Sequence, residues 1–313
     1  MSPSMREAVG RMGPFSRHAL YRLCCQQAYK VQGGTVPDGQ TDLAETGFTT
    51  LDGVLRQESV RKIRDMIDRM ISREPPPFSP TPEIPAYFLP WQDEDKKLAA
   101  DILTEAISGR LETLLHQYFQ SHFFIRTVTA SRLFPSDESM NSYLWHRDSE
   151  IPHQVHVIIY LTELSAEHGS TELLSLEDTK AAAAAGYDFP YLEDRESDLG
   201  ELFKSVDKPY APYRVSANAG DALIFTPNRV LHKGAQPNAG FRDAILAVVH
   251  PCPSPWRLTL QHNYPRIFVT MHGLNALTDP FAHFKPEWDH FGLPEWVREF
   301  KMAPPNWIDA ARG

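Results

Sequence analysis

The run FFIRTVTASRLF at 123–134, followed by SYLWH at 142–146, HVIIYLTEL at 156–164, GDALIFTP at 220–227 and FRDAILAVVH at 241–250, decides the fold class. Each run is short, rich in β-branched and aromatic residues, and bounded by Pro, Gly, Asn or Asp, the punctuation of successive strands. Strands that follow one another without a helix between each pair predict an antiparallel sandwich or barrel with helices packed outside it. The stretch KAAAAAGYDFPYLEDRESDLGELFKSVDKP at 180–209 interrupts this texture, and 177–210 reads as a helical or irregular insertion.

Upstream, Val60, Ile63, Ile67, Met70 and Ile71 recur at helical spacing, and Leu98, Ile102, Leu103, Ala106, Ile107, Leu111, Leu114, Leu115 and Tyr118 form a second, almost unbroken stripe. GFTTLDGVL at 47–55 predicts a short strand and turn, and SRHALYRLCCQQAYK at 16–30 a short amphipathic helix in a peripheral arm. Seven prolines in 74–91 leave few amides for a ladder or helix, so this segment is expected to be a long loop or lid. The expected organisation is one mainly β domain over 1–313. It comprises an N-terminal arm and helices at 1–121, a β core at 122–252 carrying the insertion, and an extension at 253–313.

The 313 residues contain 31 Lys plus Arg against 40 Asp plus Glu, a formal charge of −9, with no basic block to offset it. A phosphate-backbone binder needs a basic face, so nucleic acid is not expected as a partner. Three cysteines in a chain of this length suit a reducing cytoplasm rather than a disulfide framework. No run of about 18 apolar residues predicts a membrane span, and the sequence carries no signal for oligomeric state.

Chemistry concentrates at Trp145-His146-Arg147-Asp148. On an extended strand residues two apart share a face, so His146 and Asp148 project together while Arg147 faces away. An imidazole and a carboxylate entering one space supply two of the three ligands of a facial triad. A second histidine, His232, is followed ten residues later by Arg242. If 231–249 forms a hairpin turning at Asn238-Ala239-Gly240, then Gln236 pairs with Arg242 and His232 lies on the same face, where a small dicarboxylate could bridge them. Arginine suits bidentate capture of a carboxylate. His153 and His156 leave open a zinc hydrolase cluster, although three residues apart on a strand at most one can join His146; otherwise they contact surface or substrate. Trp145 and Tyr143 read as core aromatics, Arg126 and Arg132 as solvent-facing or carboxylate-paired, and Cys252 as a buried or semi-buried thiol.

HRD at 146–148, HVIIYLTEL, GDALIFTPNRVLHKGAQPN at 220–238 and FRDAILAVV at 241–249 together resemble the iron(II)/2-oxoglutarate-dependent oxygenases, in particular the phytanoyl-CoA dioxygenase-like branch. The resemblance covers roughly 125–252, and GFTTLDGVL is similar to that branch's opening. It implies a distorted double-stranded β-helix, a jelly-roll or cupin-like barrel with N-terminal helices packed outside. It further implies Fe(II) held by His146, Asp148 and His232, 2-oxoglutarate held by Arg242, O₂ as oxidant, and hydroxylation or a related oxidation of a small molecule. The chain departs from the family after HGSTELLSLED at 168–178, where the usual Pro-Gly-Ser-His turn gives way to the insertion. A jelly-roll ligand-binding protein without catalysis and a cupin-like metal-dependent hydrolase or isomerase are the alternative readings.

Overall fold

The computed structural model describes residues 11–35, 39–73, 86–136, 141–148, 153–164 and 168–270. In chain order the strands are β1 (Phe48–Leu51), β2 (Ala86–Phe88), β3 (His122–Leu133), β4 (Val155–Tyr160), β5 (Glu172–Leu173), β6 (Tyr213–Arg214), β7 (Ala222–Phe225), β8 (His232–Lys233) and β9 (Arg242–Cys252). The helices are α1 (Pro14–Val31), α2 (Asp42–Glu45), α3 (Gln57–Ile71), α4 (Asp93–Ile107), α5 (Arg110–Phe119), α6 (Leu176–Ala184), α7 (Gly200–Ser205) and α8 (Trp256–Ile267). A six-stranded antiparallel sheet runs β1-β7-β4-β9-β3-β2, and a three-stranded one runs β6-β5-β8. Neither sheet closes on itself among the described residues. Helices hold more of those residues than strands do, because four of the helices run to twelve residues or more, so the chain is less β-rich than its core sequence predicts. None of the described helices is long and apolar enough to cross a membrane.

Parity along the strands gives the larger sheet two faces. Val155, Val157 and Ile159 of β4 and Ile245, Ala247 and Val249 of β9 turn toward the helices, joining Ile63, Met66, Leu103 and Leu115 in one core. His156, Ile158 and Tyr160 and then Arg242, Ala244 and Leu246 turn the other way, into a cavity. Strand β3 would lose this phase over its length, but the register shifts between Ile125 and Thr127. The extra residue lets Phe123, Ile125, Val128 and Ala130 all reach the helical core while Thr129, Ser131 and Leu133 face the cavity. Each buried Val or Ile contributes about 1.5–3 kcal/mol, so the alternation is what binds sheet to helices.

Arg132 and Asp243 sit opposite each other across β3 and β9. The guanidinium holds the fully buried carboxylate through Nε and Nη2, both at 2.7 Å, and reaches Asp68 of α3 at 2.8 Å. Burial pushes Asp243 up while its arginine neighbours pull it down. The carboxylate-paired alternative for Arg132 is therefore the one realised.

Several expectations change. The stripe at 98–118 is two helices, α4 and α5, because Gly109 takes φ 90 and turns the chain between them. The arm at 16–30 is not peripheral: Tyr21, Cys24, Cys25 and Ala28 of α1 are buried, and the Tyr21 hydroxyl donates to the Pro251 carbonyl at 3.1 Å. Residues 142–146 are not a strand but a 3₁₀ turn at Asn141–Tyr143 leading to a single bridge at His146. The hairpin expected over 231–249 does not form. Gly240 takes a positive φ of 67, as a bulged turn requires, but β8 pairs with β5 in the small sheet while β9 pairs with β3 and β4 in the large one. The turn carries the chain between sheets, so His232 and Arg242 approach the cavity from opposite walls.

Cys24, Cys25 and Cys252 are free and buried, and burial pushes the Cys24 and Cys252 thiols up to about 12. His122 opens β3 with its ring edge-on to Tyr29 at 4.7 Å. Burial, with His116 nearby, holds its pKa down at about 4. The unfolded chain therefore takes up this proton first, near the ordinary histidine value of about 6.5. The stability due to neutral His122 is complete above that value and is lost as pH falls toward 4. Denaturant midpoints measured at pH 7 and pH 5 should drop less for His122→Phe than for the unaltered protein. An equal drop removes His122 as a cause of acid lability.

Candidate metal centre

His146 and His232 face each other across an isolated antiparallel bridge in which each donates its amide to the other's carbonyl, at 3.1 and 2.9 Å. Such a doubly bonded pair sets both side chains on the same face, and the imidazole centroids lie 4.3 Å apart. Asp148 follows His146 by two residues, with its amide donated to Pro227 at 3.0 Å. Its Oδ1 lies 3.6 Å from His146 Nε2 and 3.9 Å from His232 Nε2. The three donor atoms lie within 4.8 Å of one another.

Protonation is arranged to suit a cation. His146 Nδ1 faces the Leu144 carbonyl at 2.8 Å and His232 Nδ1 the Val230 carbonyl at 3.1 Å. A carbonyl only accepts, so each Nδ1 carries the hydrogen and each Nε2 offers a lone pair toward Asp148. Burial holds His146 down at about 3 and His232 at about 4. Two neutral imidazoles and one carboxylate, with the charge of Arg195 felt at both rings, fit a divalent metal of the kind that takes a two-histidine, one-carboxylate face.

The donors open into a cavity of about 300 Å³ between the two sheets. Arg242 lines the opposite wall, where its Nη1 donates to the Gly169 and Ala235 carbonyls at 3.0 and 3.1 Å. A Cβ on Gly169 would meet the Ala235 oxygen at 2.4 Å, so glycine is required for this close approach. Burial lowers the guanidinium's pKa, although from a value so high that it stays charged at neutral pH. Tyr143 and Tyr160 share the cavity, and the Tyr160 hydroxyl is bonded to Thr171 at 3.1 Å.

All four residues singled out from the sequence therefore meet in one cavity, His232 and Arg242 by a different route from the hairpin. Of the other candidates, His156 joins them: its Nε2 is 4.0 Å from Asp148 Oδ2 and bonded to the Gln154 amide at 2.8 Å. His153 turns away, with Nδ1 at 3.3 Å from Arg22. Trp145 is a core residue as expected, whereas Tyr143 lines the cavity. Gln154, bonded on its other side to His250 at 3.2 Å, carries no sequence signal, because nothing in a sequence marks a buried amide.

The insertion packs behind this cavity. None of its described residues lines it, whereas Phe88, from the proline-rich segment, does; residues 74–85, with Phe78, lie outside the described residues. Instead, Ala182, Leu199 and Phe203 pack with Trp145, Leu174 and Leu231 on the far side of the small sheet. Tyr187 donates its hydroxyl to the Trp145 carbonyl at 2.8 Å and accepts the Glu196 amide at 2.9 Å. The Trp145 amide donates to Glu196 at 2.8 Å, and its indole N–H to the Tyr210 hydroxyl at 2.8 Å. Arg147, facing away as parity requires, pairs with Asp188, lies 4.0 Å over Phe189 and donates to the Asn228 carbonyl at 3.0 Å. The insertion thus clamps the backbone on either side of His146.

No protein-family model matches the chain, and no curated protein does. Among solved structures it is similar to HygX from Streptomyces hygroscopicus with nickel and 2-oxoglutarate bound, at 17% identity over 67% of this chain and 84% of that one, with a TM-score of 0.45. It is similar also to the epimerase SnoN in complex with Fe3+, alpha ketoglutarate and nogalamycin RO, at 14% identity, 74% and 84% coverage and a TM-score of 0.45. A third is the alpha ketoglutarate dependent carbocyclase SnoK from nogalamycin biosynthesis, at 15% identity, 72% and 82% coverage and a TM-score of 0.44.

If the clamp sets the His146 geometry, Tyr187→Phe should weaken divalent-metal binding on the order of tenfold, the usual cost of losing a partner behind a ligand. Calorimetric titration with cobalt(II) reads this directly. Unchanged affinity in a folded Tyr187→Phe protein would show that the clamp serves stability alone.

Proposed function

We propose that the chain is an iron(II)- and 2-oxoglutarate-dependent dioxygenase that oxidises a small organic molecule at a C–H bond and releases succinate and CO₂. The observation that carries this reading is the convergence of two neutral Nε2 donors and one carboxylate on a cavity whose far wall holds a half-buried arginine. Iron(II), when bound, supplies the coupling of O₂ reduction to decarboxylation of 2-oxoglutarate and two-electron oxidation of the substrate. His146, Asp148 and His232 would hold it from one side, leaving the cavity side for co-substrate and O₂.

Arg242 is poised to take the distal carboxylate. Its Nη1 is already committed to two backbone carbonyls, which fixes the guanidinium plane and leaves Nε and Nη2 as a two-toothed edge. A carboxylate there gains charge-assisted bonds, and the half-buried cation gains the counter-charge that the carbonyls do not supply. On this reading the two sheets are the halves of a distorted double-stranded β-helix, and the described elements form one domain from α1 to α8. Phe88 and the cavity-lining strands, rather than the insertion, face the primary substrate.

Succinate release with added iron(II) and 2-oxoglutarate, with and without O₂, tests the assignment. The oxygenase reading requires O₂-dependent succinate, whereas turnover of any substrate without O₂ and with zinc would favour the hydrolase or isomerase. His232→Ala should lose both metal binding and succinate release while staying folded. Arg242→Gln should raise the 2-oxoglutarate KM roughly 30-fold to 1000-fold, the equivalent of about 2–4 kcal/mol, and affect the primary substrate far less. Equal effects on both substrates would make Arg242 structural.

A further inference from the structure

A second cavity, of about 460 Å³, shares no lining residue with the metal site's cavity. Arg22 from α1 and Arg229 from the turn after β7 enter it from separate elements, beside His153, Gln117, Gln120 and Tyr118. No Asp or Glu lines it among the described residues, in a chain that carries a formal charge of −9.

Among the described residues neither cation has a counter-charge. Arg22 Nη1 lies 3.3 Å from His153 Nδ1, and its Nε is buried with no hydrogen-bond partner. Arg229 Nη1 has a long 3.4 Å bond to the Tyr118 hydroxyl. Among the described residues no carboxylate pairs with either. The neighbouring imidazole offers no counter-charge, since burial and both guanidinium groups hold His153 down at about 4. Two guanidinium groups that line one cavity repel each other, and an anion between them relieves that repulsion. Two guanidinium forks and the amide side chains offer more donors than the two oxygens of a carboxylate can use, whereas a phosphate presents three or four oxygens.

We propose that this cavity binds the phosphate group of a small-molecule ligand. The inference does not depend on the oxygenase reading. The site nevertheless lies close to the metal-bearing segments: Arg229 precedes His232 by three residues and His153 follows Asp148 by five, which limits the backbone separations to about 11 and 18 Å. A cavity of this size holds more than phosphate itself, so a ligand that carries the group on an organic body fits better than the free ion.

The test is calorimetric titration of the full chain, treated with chelator, using inorganic phosphate and phenyl phosphate at constant ionic strength. Both should bind, phenyl phosphate at least as tightly, and Arg22→Gln and Arg229→Gln should each weaken binding by about tenfold or more. Gln117→Glu places a carboxylate in the same cavity and should abolish binding while circular dichroism shows an intact fold. Arg242→Gln should leave binding unchanged. The proposal is overturned if neither phosphate binds, if chloride gives the same response, or if folded Gln117→Glu binds normally. Loss of binding in Arg242→Gln alone would put the anion in the metal site's cavity, and tighter binding of inorganic than phenyl phosphate would exclude an organic ligand.

Discussion

The reciprocal amide–carbonyl pair between His146 and His232 is the constraint on which the site depends. Two residues far apart in sequence become nearest neighbours through two backbone hydrogen bonds, and the side-chain direction follows from the pairing. Asp148 is then on the shared face by its spacing of two. Everything nearby holds that short bridge: the carbonyls of Leu144 and Val230 orient the rings, and the Tyr187, Glu196 and Tyr210 contacts brace Trp145 from behind. A bridge of one residue pair has little stability of its own. The insertion makes it rigid by packing Phe203 and Leu199 against the outer face of the small sheet.

Charge is distributed with the same economy. The cavity contains imidazoles kept neutral by burial, phenols whose pKa burial raises, and a cation whose arms rest on carbonyls. The buried ion pair between Arg132 and Asp243 stands beside this cavity but belongs to the framework, joining β3 to β9 and, through Asp68, to α3. Strand parity separates the two roles: Arg242 points into the cavity, and Asp243, one residue on, points to the helical side, where α3 meets the sheet.

Short runs of β-branched and aromatic residues bounded by Pro, Gly, Asn or Asp made β3, β4, β7 and β9 legible in the sequence, because both faces of these strands are largely covered. The spacing of two between His146 and Asp148 was legible as well, although a single bridge and not a strand carries it. The partner of β8 was not. A two-residue strand carries no periodicity, and Gly240 satisfies a crossing between sheets as readily as a hairpin turn. The split of α4 from α5 turned on Gly109, whose effect is conformational and leaves the apolar stripe unbroken. The insertion's aromatics were visible, but their partners were backbone atoms of 145 and 196, which no pattern of side chains announces.

Arg242 also has a mechanical role. It springs from the first residue of the longest strand pair in the large sheet, yet its Nη1 rests on Gly169 and Ala235, which flank the strands of the small sheet. The histidines belong to the small sheet's edge and the guanidinium to the large sheet's wall, so a molecule touching both acts as a crossbar between the plates, beside the Tyr160–Thr171 tie. Occupancy of the cavity then stiffens the whole sandwich, and the protein's resistance to heat becomes a gauge of what it holds.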